Sequence, residues 1–124
     1  MYAFDTCKSL TDVNIPLGIS KLLMGTFSLC TSLKNIKIPN NVIQLDANVF
    51  YKCDSLENVI LPNTLKKIGM GAFLDCSSIK NLNVPDGVVE IGMGAFQKVM
   101  NVNYNGTAIG ASWGEKMRNG KKVE

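Results

Sequence analysis

Apolar and polar residues alternate along this chain in a pattern that recurs every 23 residues. One apolar column reads Leu10, Leu33, Leu56, Ile79, and the next reads Val13, Ile36, Val59, Leu82. Then come Ile15, Ile38, Leu61, Val84, followed by Ile19, Val42, Leu65, Val88 and by Leu22, Leu45, Ile68, Ile91. Phenylalanine keeps the same step at Phe4, Phe27, Phe50, Phe73 and Phe96. So do all four prolines, Pro16, Pro39, Pro62, Pro85, and all four cysteines, Cys7, Cys30, Cys53, Cys76. A unit of this size cannot bury its own apolar face. Units must therefore stack side by side into a solenoid with one continuous core.

Within a unit, Leu33-x-x-Ile36-x-Ile38 has the L-x-x-L-x-L shape of a leucine-rich repeat. Ile36, Lys37 and Ile38 alternate in, out, in, which predicts a short strand with one buried face. Parallel strands are expected over 13–15, 36–38, 59–61 and 82–84, all in one sheet. Proline follows each of them. It has no N–H to give a ladder, so it ends the strand and turns the chain. A second short apolar pair, Val42 and Leu45, comes next, then a turn and a compact segment carrying Phe50 and Cys53. The turn column reads Gly25, Asn48, Gly71, Gly94. Glycine and asparagine accept positive φ, so a left-handed residue is expected there; close packing of small residues is the alternative. The fold class expected is an α/β solenoid: a right-handed superhelix with a short parallel sheet and about four full coils.

Both ends depart from the pattern. The first coil begins at Met1 and Tyr2, directly before Ala3-Phe4, so it lacks its strand and its Ile-Pro turn. Either the chain is a fragment of a longer array or another subunit covers this end. For the isolated chain the expectation is homodimerisation about a two-fold axis through the open N-terminal end, or fraying of residues 1–9. Near the other end Val99 stands where cysteine is due. Val102-Asn103-Tyr104 reads as a strand reached three residues early, with Asn105-Gly106 as a turn. Residues 109–124 fit no repeat. They hold Trp113, expected in a short helix lying over the last coil. The domains are thus 1–104, the solenoid, and 105–124, a C-terminal cap and basic tail. Lys116, Arg118, Lys121 and Lys122 outnumber Glu115 and Glu124 there, and the tail reads as solvated.

Composition narrows the chemistry. The 124 residues are 46% hydrophobic and 19% charged, a globular balance. Histidine is absent, which removes the commonest general base, Ser-His and Cys-His pairs, and most catalytic zinc sites. The net charge of +3 is too mild to argue for nucleic acid. No apolar run approaches the roughly 20 residues of a membrane span, and no signal-peptide pattern is visible. Cysteines spaced by one repeat form a row, which cannot converge on a tetrahedral metal and fits disulfide geometry poorly. A buried, reduced, metal-free thiol ladder is expected. Met24, Met70 and Met93 flank the turn column; such stripes usually pack, and partial exposure is the alternative here. Gly69-Met70-Gly71 and Gly92-Met93-Gly94 lack the lysine of a phosphate loop. Asp12 and Glu57 lie two coils apart with Lys34 between them, so no carboxylates pair. Catalytic residues, cofactors and metals are all expected to be absent, and the chain is read as non-enzymatic. Asn105-Gly106-Thr107 matches the glycosylation acceptor pattern, a weak three-residue signal.

The outward strand positions are the surface a repeat protein uses for binding. By column they are Thr11, Lys34, Glu57, Lys80, then Asp12, Asn35, Asn58, Asn81, then Asn14, Lys37, Ile60, Asn83. Stacked asparagines can hydrogen-bond along a sheet, so a structural role stands beside a binding one. The face carries no aromatic residue, although interface hot spots favour them.

These residues resemble the BspA-like leucine-rich repeats, whose unit runs strand, Ile-Pro, Val, Ile-Gly, Ala-Phe, Cys, Ser-Leu. The match is carried by Ile38-Pro39, Val42, Leu45, Phe50, Cys53 and Leu56. It is fullest from Leu61-Pro62 through Ile68-Gly69, Ala72-Phe73, Cys76 and Ser78-Ile79, and it extends over roughly residues 3–104. Members are similar to bacterial and protozoan surface proteins implicated in adhesion to host or matrix proteins. The resemblance implies a protein-binding or adhesion module with a host or matrix partner, in a parent protein that is cell-surface or secreted. The alternative is a structural spacer in a longer array whose binding site lies on another domain.

Overall fold

The structure is a computed structural model that describes residues 7–108, 117–118 and 121–122. Its strands are β1 (Lys21–Leu22), β2 (Asn35–Lys37), β3 (Gln44–Leu45), β4 (Asn58–Ile60), β5 (Lys67–Ile68), β6 (Leu82–Asn83), β7 (Glu90–Ile91), β8 (Val102–Asn103), β9 (Met117–Arg118) and β10 (Lys121–Lys122). They wind a solenoid with a front wall, a back wall and a turn edge.

The back wall is the most regular part. β1, β3, β5 and β7 form one four-stranded parallel sheet in which Leu22, Leu45, Ile68 and Ile91 are register partners. This is the second apolar pair of each repeat, pinned in register by the core side chain of every strand. The front strands are parallel, as expected, and β2 and β4 start one residue earlier than the apolar alternation indicates. The first full coil contributes only a bridge from Asp12 to Asn35. The expectation of a single front sheet is corrected: β2 pairs with β4 and β6 with β8, in two separate sheets. β8 does arrive early, with Leu82 opposite Val102 rather than one full repeat further on.

The α part of the expected class is also corrected. Among the described residues there is no helix, and the Phe-Cys segment is a run of turns. Its N–H groups divide between two partners, whereas an α-helix keeps every bond four residues away. Phe27, Phe50 and Phe73 donate to the carbonyls of Val49, Ala72 and Ala95 in the next coil at 2.9, 2.8 and 2.8 Å. Cys30 and Cys53 donate locally, to Phe27 and Phe50, at 3.2 and 3.1 Å. The turn column is left-handed, with φ of 67° at Gly25, 58° at Asn48, 65° at Gly71 and 67° at Gly94. A second left-handed column carries no glycine: Leu29, Lys52, Asp75 and Lys98, at 62°, 55°, 62° and 78°.

Inside this edge the phenylalanines stack. Ring centroids lie 5.6 Å apart for Phe27–Phe50, 5.2 Å for Phe50–Phe73 and 6.2 Å for Phe73–Phe96, with planes within 21° of parallel. Offset stacking of this kind adds about 0.5–1.5 kcal/mol per pair beyond area burial. Cys30, Cys53 and Cys76 are buried beside them and Cys7 is half-buried, so the cysteine column is a ladder inside the core. In the first full coil Val13, Ile15 and Ile19 are only half-buried, while their column mates Ile36, Ile38 and Val42 are buried. Phe4 and Trp113, on which the expectations for the two ends rest, lie outside the described residues.

At the other end Tyr104 closes the last described coil. Its ring is buried. Its hydroxyl donates to the Val88 carbonyl at 2.5 Å and accepts from the Ala108 N–H at 2.8 Å. Gly106 lets the chain turn over that ring, since a Cβ there would run into it. β9 and β10 pair antiparallel, and β10 lies against β8.

Candidate partner-binding face

The front wall holds all the residues singled out as outward-facing. Asp12, Asn14, Lys34, Asn35, Lys37, Glu57, Asn58, Ile60, Lys80, Asn81 and Asn83 are each exposed. Strand alternation places them there, because their neighbours Ile36 and Leu82 point into the core. Two clefts share most of them, one on the β2–β4 side and one across the break between the front sheets.

The first group lines a groove. Asp12, Asn14, Asn35, Lys37, Asn58 and Ile60 surround it, joined by Leu17, Asn40 and Asn41. Asn58 Nδ2 donates to Asn35 Oδ1 at 2.7 Å, so part of the amide column is tied along the sheet. One carboxylate and one ammonium, Asp12 and Lys37, leave the groove nearly neutral. Ile60 is 57% exposed and Leu17 70% exposed, which puts aliphatic surface among the amides. Sequence reasoning missed Leu17, Asn40 and Asn41. The signal was their place just past the proline column, where the chain turns back over the strand face.

The second group meets the first only at Asn58. Glu57, Asn58, Lys80 and Asn81 line a separate polar cleft with Ser77 and Ser78. The three asparagines expected to stack do not form one chain of bonds. The second amide pair is in the neighbouring column, where Asn103 Nδ2 donates to Asn83 Oδ1 at 2.8 Å.

The groove offers amide donors and acceptors, one charge of each sign and aliphatic surface, a set suited to holding a partner. Among the described residues no three His, Cys, Asp or Glu side chains gather where a metal could sit. Two of the thiols are held in the protonated form. Burial pushes the Cys53 thiol up to about 12 and raises Cys76 as well. Both are hydrogen-bond donors, Cys53 to the Phe27 carbonyl at 3.0 Å and Cys76 to the Phe50 carbonyl at 2.9 Å. Thus each satisfies a carbonyl of the preceding coil. Met24, Met70 and Met93 are exposed on another side of the coil, between the back wall and the turn edge. No helix of the described residues is long and apolar enough to cross a membrane.

Comparison with known proteins agrees with this architecture. A family model for the BspA type leucine-rich repeat region matches residues 1–108 in six copies. A leucine-rich repeat protein of T. pallidum is 32% identical with a TM-score of 0.78, over 82% of this chain and 49% of that one. A leucine-rich repeat protein of Bacteroides ovatus is 34% identical with a TM-score of 0.79, over 88% of this chain and 30% of that one. The chain therefore spans half or less of the length of these two proteins. No curated protein matches it. Leucine-rich repeats of this kind are protein-interaction repeats and typically non-enzymatic scaffolds. With the 23-residue columns, the parallel walls and the family match in agreement, the chain belongs to the BspA-type leucine-rich repeat family.

Proposed function

We propose that this chain is a non-enzymatic protein-binding module of a cell-surface or secreted protein, an adhesion module with a host or matrix partner, and that the front groove is its contact surface. The observation that carries this is the gathering of Asp12, Asn14, Asn35, Lys37, Asn58 and Ile60 around one groove with Leu17 exposed at its side. Exposed aliphatic groups ringed by polar groups are the usual make-up of a protein contact. Lys80, Asn81 and Asn83 extend the surface beyond the sheet break. The reading takes the solenoid as right-handed, as parallel crossovers are, with about four full coils. It takes residues 1–104 as the solenoid and 105–124 as its cap. Homodimerisation through the first coil is a companion proposal, supported by the half-buried Val13, Ile15 and Ile19.

Binding to a panel of purified extracellular-matrix proteins tests the main reading. Wild type should bind at least one, Lys37→Glu and Ile60→Asp should weaken that binding tenfold or more, and Lys21→Glu on the back wall should not. A second reading is a structural spacer, favoured by the amide bonds Asn58–Asn35 and Asn103–Asn83, which engage the asparagines internally. No binding anywhere on the panel, or equal binding by all variants, supports the spacer.

A further inference from the structure

The back wall and the turn edge run unbroken along the solenoid, but the front wall does not. Lys34 N–H donates to the Thr11 carbonyl at 3.2 Å, and Glu57 N–H to the Lys34 carbonyl at 2.8 Å. The next bond in that series, Lys80 N–H to the Glu57 carbonyl, is not made. Likewise Ile38 N–H reaches the Ile60 carbonyl and Val84 N–H the Asn103 carbonyl, both at 2.9 Å. The intervening bond, Leu61 N–H to the Asn83 carbonyl, is missing.

Side chains report the same gap. Val59 is half-buried, whereas its column mates Ile36 and Leu82 are 3% and 0% exposed. Glu57 and Lys80 carry opposite charge in adjacent coils and line one cleft, yet form no ion pair. Asn58 bonds Asn35 on one side and does not bond Asn81 on the other. What spans the front is the Ser78 hydroxyl, which donates to the Asp54 carbonyl at 2.5 Å. Behind the gap the same two coils are fully joined. Lys67 and Glu90 pair in register with an ion pair at 3.1 Å, and Phe73 stacks on both Phe50 and Phe96.

We propose that the boundary between β4 and β6 is a joint at which the solenoid bends, its front cleft opening and closing while the back sheet and the phenylalanine column stay in contact. Bending a solenoid requires one wall to lengthen. Elsewhere on the front wall that breaks backbone hydrogen bonds, and at this boundary there are none to break. The cleft of Glu57, Asn58, Lys80 and Asn81 straddles the joint, so its opening sets how the β4 and β6 parts of the front face lie to each other. This rests on the backbone bonding and is independent of whether the face binds a partner.

Amide exchange on the wild-type chain, read residue by residue by NMR, tests it. The Leu61 and Lys80 amides should exchange at least about tenfold faster than those of Ile38 and Val84, as exchange without a bonded partner does. Spin labels give a second reading in a Cys7→Ser background, the other thiols being buried. Labels at Glu57→Cys and Lys80→Cys should show a broader distance distribution than labels at Lys34→Cys and Glu57→Cys. Protection of Leu61 equal to that of Ile38, or distributions of equal width, overturns the joint.

Discussion

Tyr104 is bonded to Val88 across the last coil: its hydroxyl donates to the Val88 carbonyl at 2.5 Å while accepting from the Ala108 N–H. The Val88 carbonyl belongs to the coil that the next repeat would have covered, and here a side chain takes that place. Tyr104→Phe keeps the ring and removes both bonds. Each unsatisfied buried group costs about 1–3 kcal/mol, so the variant should melt several degrees lower with unchanged secondary structure. A melting temperature equal to wild type would mean that the hydroxyl does not close this end.

The turn columns give a contrast between neighbours. Gly71 has a φ of 65°, and Met70 beside it is 56% exposed. Gly71→Val forces a β-branched residue into the left-handed region, at about 1–3 kcal/mol. Met70→Val should stay within about 0.5 kcal/mol, as exposed substitutions do. Urea midpoints of the two variants check this. Lys98, with φ of 78°, tests the other column. Lys98→Gly should be neutral to mildly stabilising, because a left-handed conformation that costs a lysine about 1–2 kcal/mol costs glycine none.

That second column marks where sequence reading stops. The apolar, proline, phenylalanine and cysteine columns are legible because each position demands one chemistry in every coil. Leu29, Lys52 and Asp75 share no chemistry. Their conformation is imposed by bonds to the next coil, such as Leu29 N–H to the Tyr51 carbonyl at 2.7 Å and Lys52 N–H to Leu74 at 2.8 Å. The back-wall strands are two residues long, too short for alternation to announce them. The front break is equally silent, since Asn58 and Asn81 look as well in register as Asn35 and Asn58. At the C-terminal end Trp113 is the conspicuous aromatic of the sequence, but Tyr104 with Gly106 two residues on is the readable sign of a ring with the chain folded over it. Of the candidate face, alternation placed every named residue outside. It could not tell which of them share a groove, because that depends on the break.

The phenylalanine column should be the stiffest test of the core. Phe50 is fully buried and stacks on both Phe27 and Phe73. Phe50→Ala should cost about 3–5 kcal/mol, the usual range for emptying such a site. Chemical denaturation decides, and a loss well below that range would mean that the ring stack contributes little.

The cysteine ladder makes stability depend on alkaline pH. The folded Cys53 thiol is pushed from an ordinary value of 9.0 up to about 12 by burial, so the folded chain holds its proton more tightly than the unfolded chain. This contribution is fully present below pH 9 and is lost as pH rises from 9 towards 12. Wild type should therefore lose stability more steeply over that window than Cys53→Ala. Parallel pH profiles for the two would show that the thiol does not contribute.

The amide pair on the front face decides between the two roles the asparagine column could play. Asn58 Nδ2 donates to Asn35 Oδ1 at 2.7 Å, in an exposed position. Asn35→Asp keeps an acceptor, and the bond to it becomes charge-assisted. Asn58→Asp supplies only acceptors, but the Asn35 amide can turn and donate instead, so this variant too should lose little. The double variant has no donor left and sets two carboxylates side by side on paired strands. It should be less stable than the sum of the single changes by about 0.5–1 kcal/mol, the range for cross-strand pairs. The excess should shrink below about pH 4, where the carboxyls protonate, and in high salt. Such a coupling makes the amide pair a brace of the front wall. A cycle that closes to zero would leave Asn35 and Asn58 free of structural duty, and their place in the groove would then count wholly towards a partner.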